Sequence, residues 1–265
     1  MKTTERVRLT TLHFLLVLFC AAGCSTPPPP GDAEAVAQFQ EANDPAEPTN
    51  RVLYGVNEGL DAGLVRPAMR AYRAVLPQPV RNGVHNVLSN LHSPVQLGND
   101  MLEGKPRRAG DTLMRFLINT TVGVVGIFDV ATDWGYPDHA ADFGLTLALW
   151  GVPEGPYVFL PLIGPSSVRD TFGYGIDVAG DPLIWMGQGT DVVVLRWSRV
   201  GIRGIDTRER LDGSIEAIKN NALDPYVAFR SAYRQHRQAQ VEEIRNDHRA
   251  TPPAWFSSST DQATR

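Results

Sequence analysis

The chain has 265 residues, of which 43% are hydrophobic and 20% charged, with two cysteines. That length supports one or two domains with a real core, and the apolar content excludes wholesale disorder. Without the first 24 residues the chain carries 22 basic and 28 acidic side chains. The resulting net charge of −6 lacks the basic footprint of a nucleic-acid binder.

Lys2, Arg6 and Arg8 form a positive leader, Leu12 to Phe19 a short apolar run, and Ala21-Ala22-Gly23 a small-residue stretch before Cys24. This is the layout of a secretory signal over residues 1–23 rather than of a membrane span. Ala-Gly-Cys resembles a bacterial lipobox, whose cysteine takes a diacylglyceryl group and becomes the mature N-terminus, with Ala21 standing where leucine is usual. Ser25, in place of an aspartate, is similar to lipoproteins exported to the outer membrane. Cys20 lies in the leader and Cys24 is the expected lipid anchor, so no thiol remains for a disulfide or a metal site. Residues 24–42, with Pro27 to Pro30, read as a flexible spacer, and residues 32–43 as loosely ordered.

The body is expected over 43–247. Asn43-Asp44-Pro45 reads as a helix start, with Pro45 at the first helical position. Val52, Val56, Leu60 and Leu64 recur on one face, and Pro67 marks a break or a fresh start. Val84, Val87, Leu88 and Leu91 have helical spacing, and Pro94 opens a new segment with Val95, Leu97, Met101 and Leu102. Lys105-Pro106-Arg107-Arg108 reads as a turn, after which Leu113, Phe116 and Leu117 continue the period. The pattern is that of many short amphipathic helices divided by prolines, and nothing alternates over enough residues to suggest a sheet.

Gly144 to Asp170 is among the most apolar stretches, yet Pro153, Pro156, Pro161 and Pro165 interrupt it. A spanning helix needs roughly 20 uninterrupted apolar residues. The stretch is therefore either a core crossing between helices or an irregular segment beside lipid whose polar groups are satisfied. Ser166 and Ser167 read as helix caps. Thr190 to Asn220 reads as one long helix with arginines from Arg196 to Arg210, and Asp224-Pro225 opens a last helix ending near Asp247. Residues 248–265 read as a disordered tail.

Catalytic signatures are scarce, and no nucleophile elbow, H-E-x-x-H or P-loop is present. His85 and His92, seven apart, read as a solvated helix face rather than metal ligands. Capping explains Ser166 and Ser167 better than a triad with Asp170 and His139. The reading is of no enzyme, no metal and no cofactor.

Taken together, several blocks resemble the VacJ/MlaA family of outer-membrane phospholipid-binding lipoproteins. They are Asn43-Asp44-Pro45, Asn119-Thr120, Gly155-Pro156-Tyr157, Pro161, Gly164-Pro165-Ser166, Arg169-Asp170 and Asp224-Pro225-Tyr226, in order over about 43–237. The resemblance implies an all-α, ring-like body in the inner leaflet of the outer membrane, facing the periplasm, with an amphipathic channel for phospholipid. It also implies an outer-membrane porin trimer and a soluble periplasmic phospholipid carrier (MlaC-like) as partners, in retrograde transport that maintains lipid asymmetry. Arg196, Arg199 and Arg203 on the long helix are the candidates to line the phospholipid path, since guanidinium groups suit phosphate. The alternative is a structural lipoprotein that tethers porins or envelope components without moving lipid.

Overall fold

The computed structural model describes residues 28, 29 and 32–246, apart from 186 and 188. The expected signal peptide (1–23), the expected lipid anchor Cys24 and the tail expected from 248 all lie outside the described residues. Helix α1 (Ala33–Ala42) occupies a stretch expected to be loosely ordered. The body then starts one turn later than the sequence suggested. Pro45 sits in a turn, and α2 (Glu47–Leu60) takes Pro48 into its first turn instead.

Pro67 opens a fresh helix, one of the two outcomes expected of it, and Pro94 departs from expectation. Beyond α2 the chain passes through a π-helical turn (Asp61–Val65) straight into α3 (Arg66–Val75), with Pro67 in the first turn of α3. The wider π turn carries the ladder up to it, with the Arg66 N–H bonding the Asp61 carbonyl, and Pro67 itself donates nothing. Pro94, by contrast, lies inside α4 (Gln78–Leu102), which runs 25 residues without the expected interruption. An interior proline costs roughly 3 kcal/mol. Tertiary contact offsets it here, since Ser93, Val95 and Gln96 are all buried and α4 packs along α5 (Pro106–Thr121). Arg108, expected in a turn, belongs to the first turn of α5 and is buried.

A short turn of helix, α6 (Val130–Asp133), leads to α7 (Phe143–Leu149), capped by the Asp142 carboxylate accepting from the Leu145 N–H. The proline-rich stretch then makes an antiparallel hairpin, β1 (Tyr157–Leu160) with β2 (Gly164–Ser167), pairing Tyr157 with Ser167 and Leu160 with Gly164. Each strand has four residues, too few for alternation to register. The hairpin docks on α2 through one side chain. The Asn50 amide donates to the Tyr157 carbonyl (3.1 Å) and accepts from the Phe159 N–H (3.0 Å). Ser167 caps α8 (Val168–Gly180), accepting from the Asp170 N–H at 3.1 Å as its sequence context suggested. Then follow α9 (Pro182–Trp185), the 32-residue α10 (Thr190–Asn221) and α11 (Pro225–Asn246).

The last helix returns to the start of the body. Arg230 reaches Asp44 at 2.8 Å, Tyr226 donates its hydroxyl to the same carboxylate, and Arg51 meets Asp224 at 2.7 Å. Tyr157, Phe159 and Tyr226 form the aromatic core at this closure, with Tyr54 edge-on to Phe159. Among the described residues the architecture is all-α apart from one hairpin.

Candidate functional site: a polar interior beneath an apolar surface

Among the described residues, buried polar or charged side chains number 19 against 14 buried hydrophobic ones. That reverses the usual distribution of a water-soluble body. The exterior shows the complement. On α10, Val193, Val194, Leu195, Trp197, Val200 and Ile202 are exposed, while the buried residues are Asp206 and Arg208. No described helix is long and apolar enough to cross a membrane.

The interior is built mainly from α4. Ser89, Ser93, Gln96, Asp100 and Glu103 recur at steps of four and three, one face of a helix. Asp100, fully buried, accepts from Thr112 (2.5 Å) and lies 3.0 Å from His139 Nε2. Asn99 donates to Asp177 of α8 (2.8 Å) and accepts from Thr146 of α7 (3.2 Å). Burial, with Asp100 nearby, pushes the Glu103 carboxyl up to about 8, so it is largely protonated at neutral pH. Burial also pushes Asp177 up.

The three arginines proposed for the lipid path divide into two roles. Arg196 is committed to backbone carbonyls at the end of α9, those of Leu183 (2.9 Å), Ile184 (2.5 Å) and Gly187 (2.8 Å). Arg199 pairs with Asp181 at 2.5 Å. Arg203 is exposed to solvent and makes no ion pair among the described residues. The protein around it nevertheless desolvates its guanidinium, and Arg199 adds like charge, so its pKa is pushed down. His92 on α4 faces the same space. Burial, then the charges of Arg203 and Arg199, take it down to about 4, and it is neutral. His92 is thus half-buried against α10, not on a solvated face, and His85 one stretch earlier bonds Asp206 of α10 at 2.8 Å. Tyr174, Asp177 and Asp181 also stand near Arg203.

The family-motif residues hold the frame of this interior. Asn43, with φ of 46°, donates its amide to the Gly155 carbonyl at 2.5 Å and accepts from the Tyr157 N–H at 2.8 Å. Gly155 and Gly164 carry φ of 70° and 100°, which side chains rarely adopt. Pro156 accepts from the Val168 N–H, Pro165 stands opposite Phe159, and Pro161 lies in the hairpin loop. Asn119 ties Asp129 (2.9 Å) to the Ala131 N–H (2.9 Å). Asp170 gathers Arg169 (2.9 Å), Arg237 (2.8 Å) and Tyr233 (2.5 Å). Ser166 bonds Thr171, Ser167 caps α8 and His139 bonds Asp100, so each member of the conceivable triad is engaged elsewhere. Among the described residues no group of three or more His, Cys, Asp or Glu is placed to hold a metal ion.

Sequence comparison decides the family. The MlaA lipoprotein family model matches residues 42–240. The chain belongs to the MlaA lipoprotein family. Relatives named intermembrane phospholipid transport system lipoprotein MlaA share 35% identity in Escherichia coli K12, over 77% of this chain and 81% of theirs. The Haemophilus influenzae relative of the same name shares 30%, over 88% and 91%. A solved structure described as the structural basis for maintenance of bacterial outer membrane lipid asymmetry superposes with a TM-score of 0.64 at 34% identity. It covers 75% of this chain and 98% of that one. Membership in this family makes the protein a membrane-associated lipoprotein of a lipid-transport class.

Proposed function

We propose that this MlaA-family lipoprotein removes mislocalised phospholipid from the outer leaflet of the outer membrane and passes it towards the periplasm along its polar interior. The observation that carries the reading is the inverted distribution of side chains: an apolar exterior around a polar wall where Arg203 remains open. Exposed apolar faces such as Trp197, Val200 and Ile202 rest in acyl chains, without any helix spanning the bilayer. A phosphodiester headgroup pays several kcal/mol to enter hydrocarbon unsolvated. Donors inside the wall replace its water, and Arg203, with Arg199 beside it, supplies positive charge to phosphate. Transfer along such a wall breaks no covalent bond and needs no catalytic group.

In this reading Cys24 carries the lipid anchor, an outer-membrane porin trimer houses the body, and a soluble periplasmic carrier receives the lipid. The test is outer-leaflet phospholipid on intact cells lacking the gene, complemented with wild type, Cys24→Ala or Arg203→Glu. Deletion should raise surface phospholipid, and wild type alone should restore it. Restoration by Arg203→Glu refutes the assigned path, and unchanged surface phospholipid with loss of porin association would favour a tethering role.

A further inference from the structure

A polar cavity of about 120 Å³ opens beside the first half of α4, where that helix, α5 and the loops on either side of α6 meet. A water molecule takes up about 30 Å³ of liquid, so the space suits a group of a few heavy atoms. Ser89 and Asn90 line it from α4, Arg115 from α5, and Asp129 and Asp138 from the loops. Asn90 is 6% exposed. Its amide donates to Thr120 at 2.9 Å, while its Oδ1 is buried without a partner. Native structures rarely leave a buried acceptor unpaired, and one that is calls for an occupant. The charges of the lining do not balance either. Arg115 is committed to Asp129 (3.2 Å), Thr132 (2.9 Å) and the Tyr136 carbonyl, and its Nε lies 3.8 Å from Asp138. Two carboxylates therefore share one guanidinium, while His85 turns its Nδ1 to Asp206 at 2.8 Å. Asp129 already accepts from Asn119 and Thr132 besides Arg115. Asp138 accepts from Gln96 at 3.3 Å through one oxygen, and its other oxygen makes no hydrogen bond among the described residues.

We infer that this pocket takes the primary ammonium of an aminophospholipid headgroup, which donates to Asn90 Oδ1 while Asp138 supplies the opposite charge. The inference rests on the transport reading and adds a headgroup preference to it. The unpaired groups, Asn90 Oδ1 and one Asp138 oxygen, both accept, so the occupant must donate. A primary ammonium carries three N–H donors and the missing positive charge. A quaternary ammonium brings the charge but no N–H, and leaves Asn90 unpaired. Position ties the pocket to lipid. Ser89 belongs to the polar stripe of α4 that builds the interior, and His85, also in the lining, joins that stripe to Asp206, one turn along α10 from Arg203. Arg203 for the phosphate and the pocket for the ammonium thus share one wall, as the two charges of a phosphoethanolamine share one head.

The experiment is native mass spectrometry of the full-length lipidated protein released from nonionic detergent, titrated with short-chain lipids below their micellar concentrations. Dihexanoyl-phosphatidylethanolamine should half-saturate at a concentration about tenfold or more below dihexanoyl-phosphatidylcholine, since hydrogen bonds to a charged group are the strong ones. Asp138→Asn, at a side chain 50% exposed, keeps the shape of the pocket and removes its excess charge. Asn90→Leu removes the unpaired acceptor. Each variant should bring the two lipids to within about twofold of one another. Arg203→Gln should weaken both lipids alike and keep their ratio. A preference that survives Asp138→Asn is one of size alone and overturns the proposal. Free ethanolamine that displaces the lipid at equal concentration also overturns it, by assigning the pocket to a soluble amine. Equal affinity of the wild type for the two lipids, both weakened by Arg203→Gln, rejects the pocket as a water site and leaves the transport reading standing. Binding of neither lipid rejects both.

Discussion

Replacing Asp44 by alanine tests whether buried polar groups hold this body closed. Asp44 is 3% exposed and takes hydrogen bonds from Asn50 (2.8 Å), the Tyr226 hydroxyl and Arg230 (2.8 Å). Removing one partner of a buried ion pair costs about 3–5 kcal/mol, mostly because the other charge is left uncompensated. Arg230 keeps a second carboxylate, Glu47, at 3.2 Å, which places the loss near the low end of that range. Tyr226 loses an acceptor inside the aromatic core, adding about 1 kcal/mol. The sum is about 4 kcal/mol. At about 2–4 °C per kcal/mol for a domain of this size, the thermal midpoint should fall by about 8–16 °C. The assay is thermal unfolding of the full-length protein in detergent at pH 7, followed by far-UV circular dichroism. The companion variant is Asp224→Ala, which removes a pair with Arg51 where both side chains are 41% exposed. Exposed pairs contribute at most about 1 kcal/mol and the cap bond that Asp224 accepts from the Val227 N–H about as much again, so its midpoint should move by less than about 8 °C. A drop below about 3 °C for Asp44→Ala, or equal drops for the two, would refute the reasoning.

Four further outcomes follow from the same geometry. Glu103 has its pKa raised to about 8, so the folded state binds the extra proton. That stabilisation is complete below about 4.5 and is lost as pH rises to and through 8; Glu103→Gln should therefore flatten stability between about pH 5 and 8 in urea titrations. Asp170 is pushed up by burial but pulled lower overall by Arg237, Arg169 and Tyr233. Its contribution is present above 3.8 and lost as pH falls below that, so Asp170→Asn should blunt acid unfolding in that window. In Gly173→Ala the new Cβ would sit 2.3 Å from the Gly144 nitrogen, forcing α7 and α8 apart; a midpoint loss of at least about 4 °C is expected, and none would show that the helices slide freely. Val124 and Val125 hold φ of 54° and 58°, costly for β-branched residues, so Val125→Gly should gain about 1 kcal/mol in detergent, read as a higher urea midpoint.

Much of the helical architecture is legible in the residues, because caps and periodicity are local. Ser167 as the cap of α8, the long α10 and the last helix from Pro225 all rest on signals within a few positions. The elements that escape local reading depend on distant partners. Pro94 stays helical because its neighbours are buried against other elements, and the four-residue strands persist because Asn50, more than 100 positions away, completes their hydrogen bonding. The site shows the same limit. His92 and His85 share a face of α4, but that the face meets α10 rather than water comes from the packing.

Periodicity separates two faces of a helix without saying which one is inside. In α4 the stripe of Ser89, Ser93, Gln96, Asp100 and Glu103 would be assigned to solvent in a water-soluble protein, and Leu91, Met101 and Leu102 to the core. The structure inverts the assignment of these residues, since Ser93, Gln96 and Asp100 are buried while Leu91, Met101 and Leu102 are exposed, although Leu88 and Val95 of the same helix are buried as a soluble protein would have them. What decides between the two is the solvent the protein meets, and the residues that announce that solvent lie far from α4, in the leader and at Cys24. The lipid anchor proposed at Cys24 would bring α4 to that solvent, where an amphipathic pattern reads the other way. The test of that inference is transfer of the helical body between environments. Without its leader and Cys24, in water and no detergent, a protein whose apolar residues face outward should associate through those faces, whereas a monomeric and monodisperse body would show that the outward apolar face is not built for lipid.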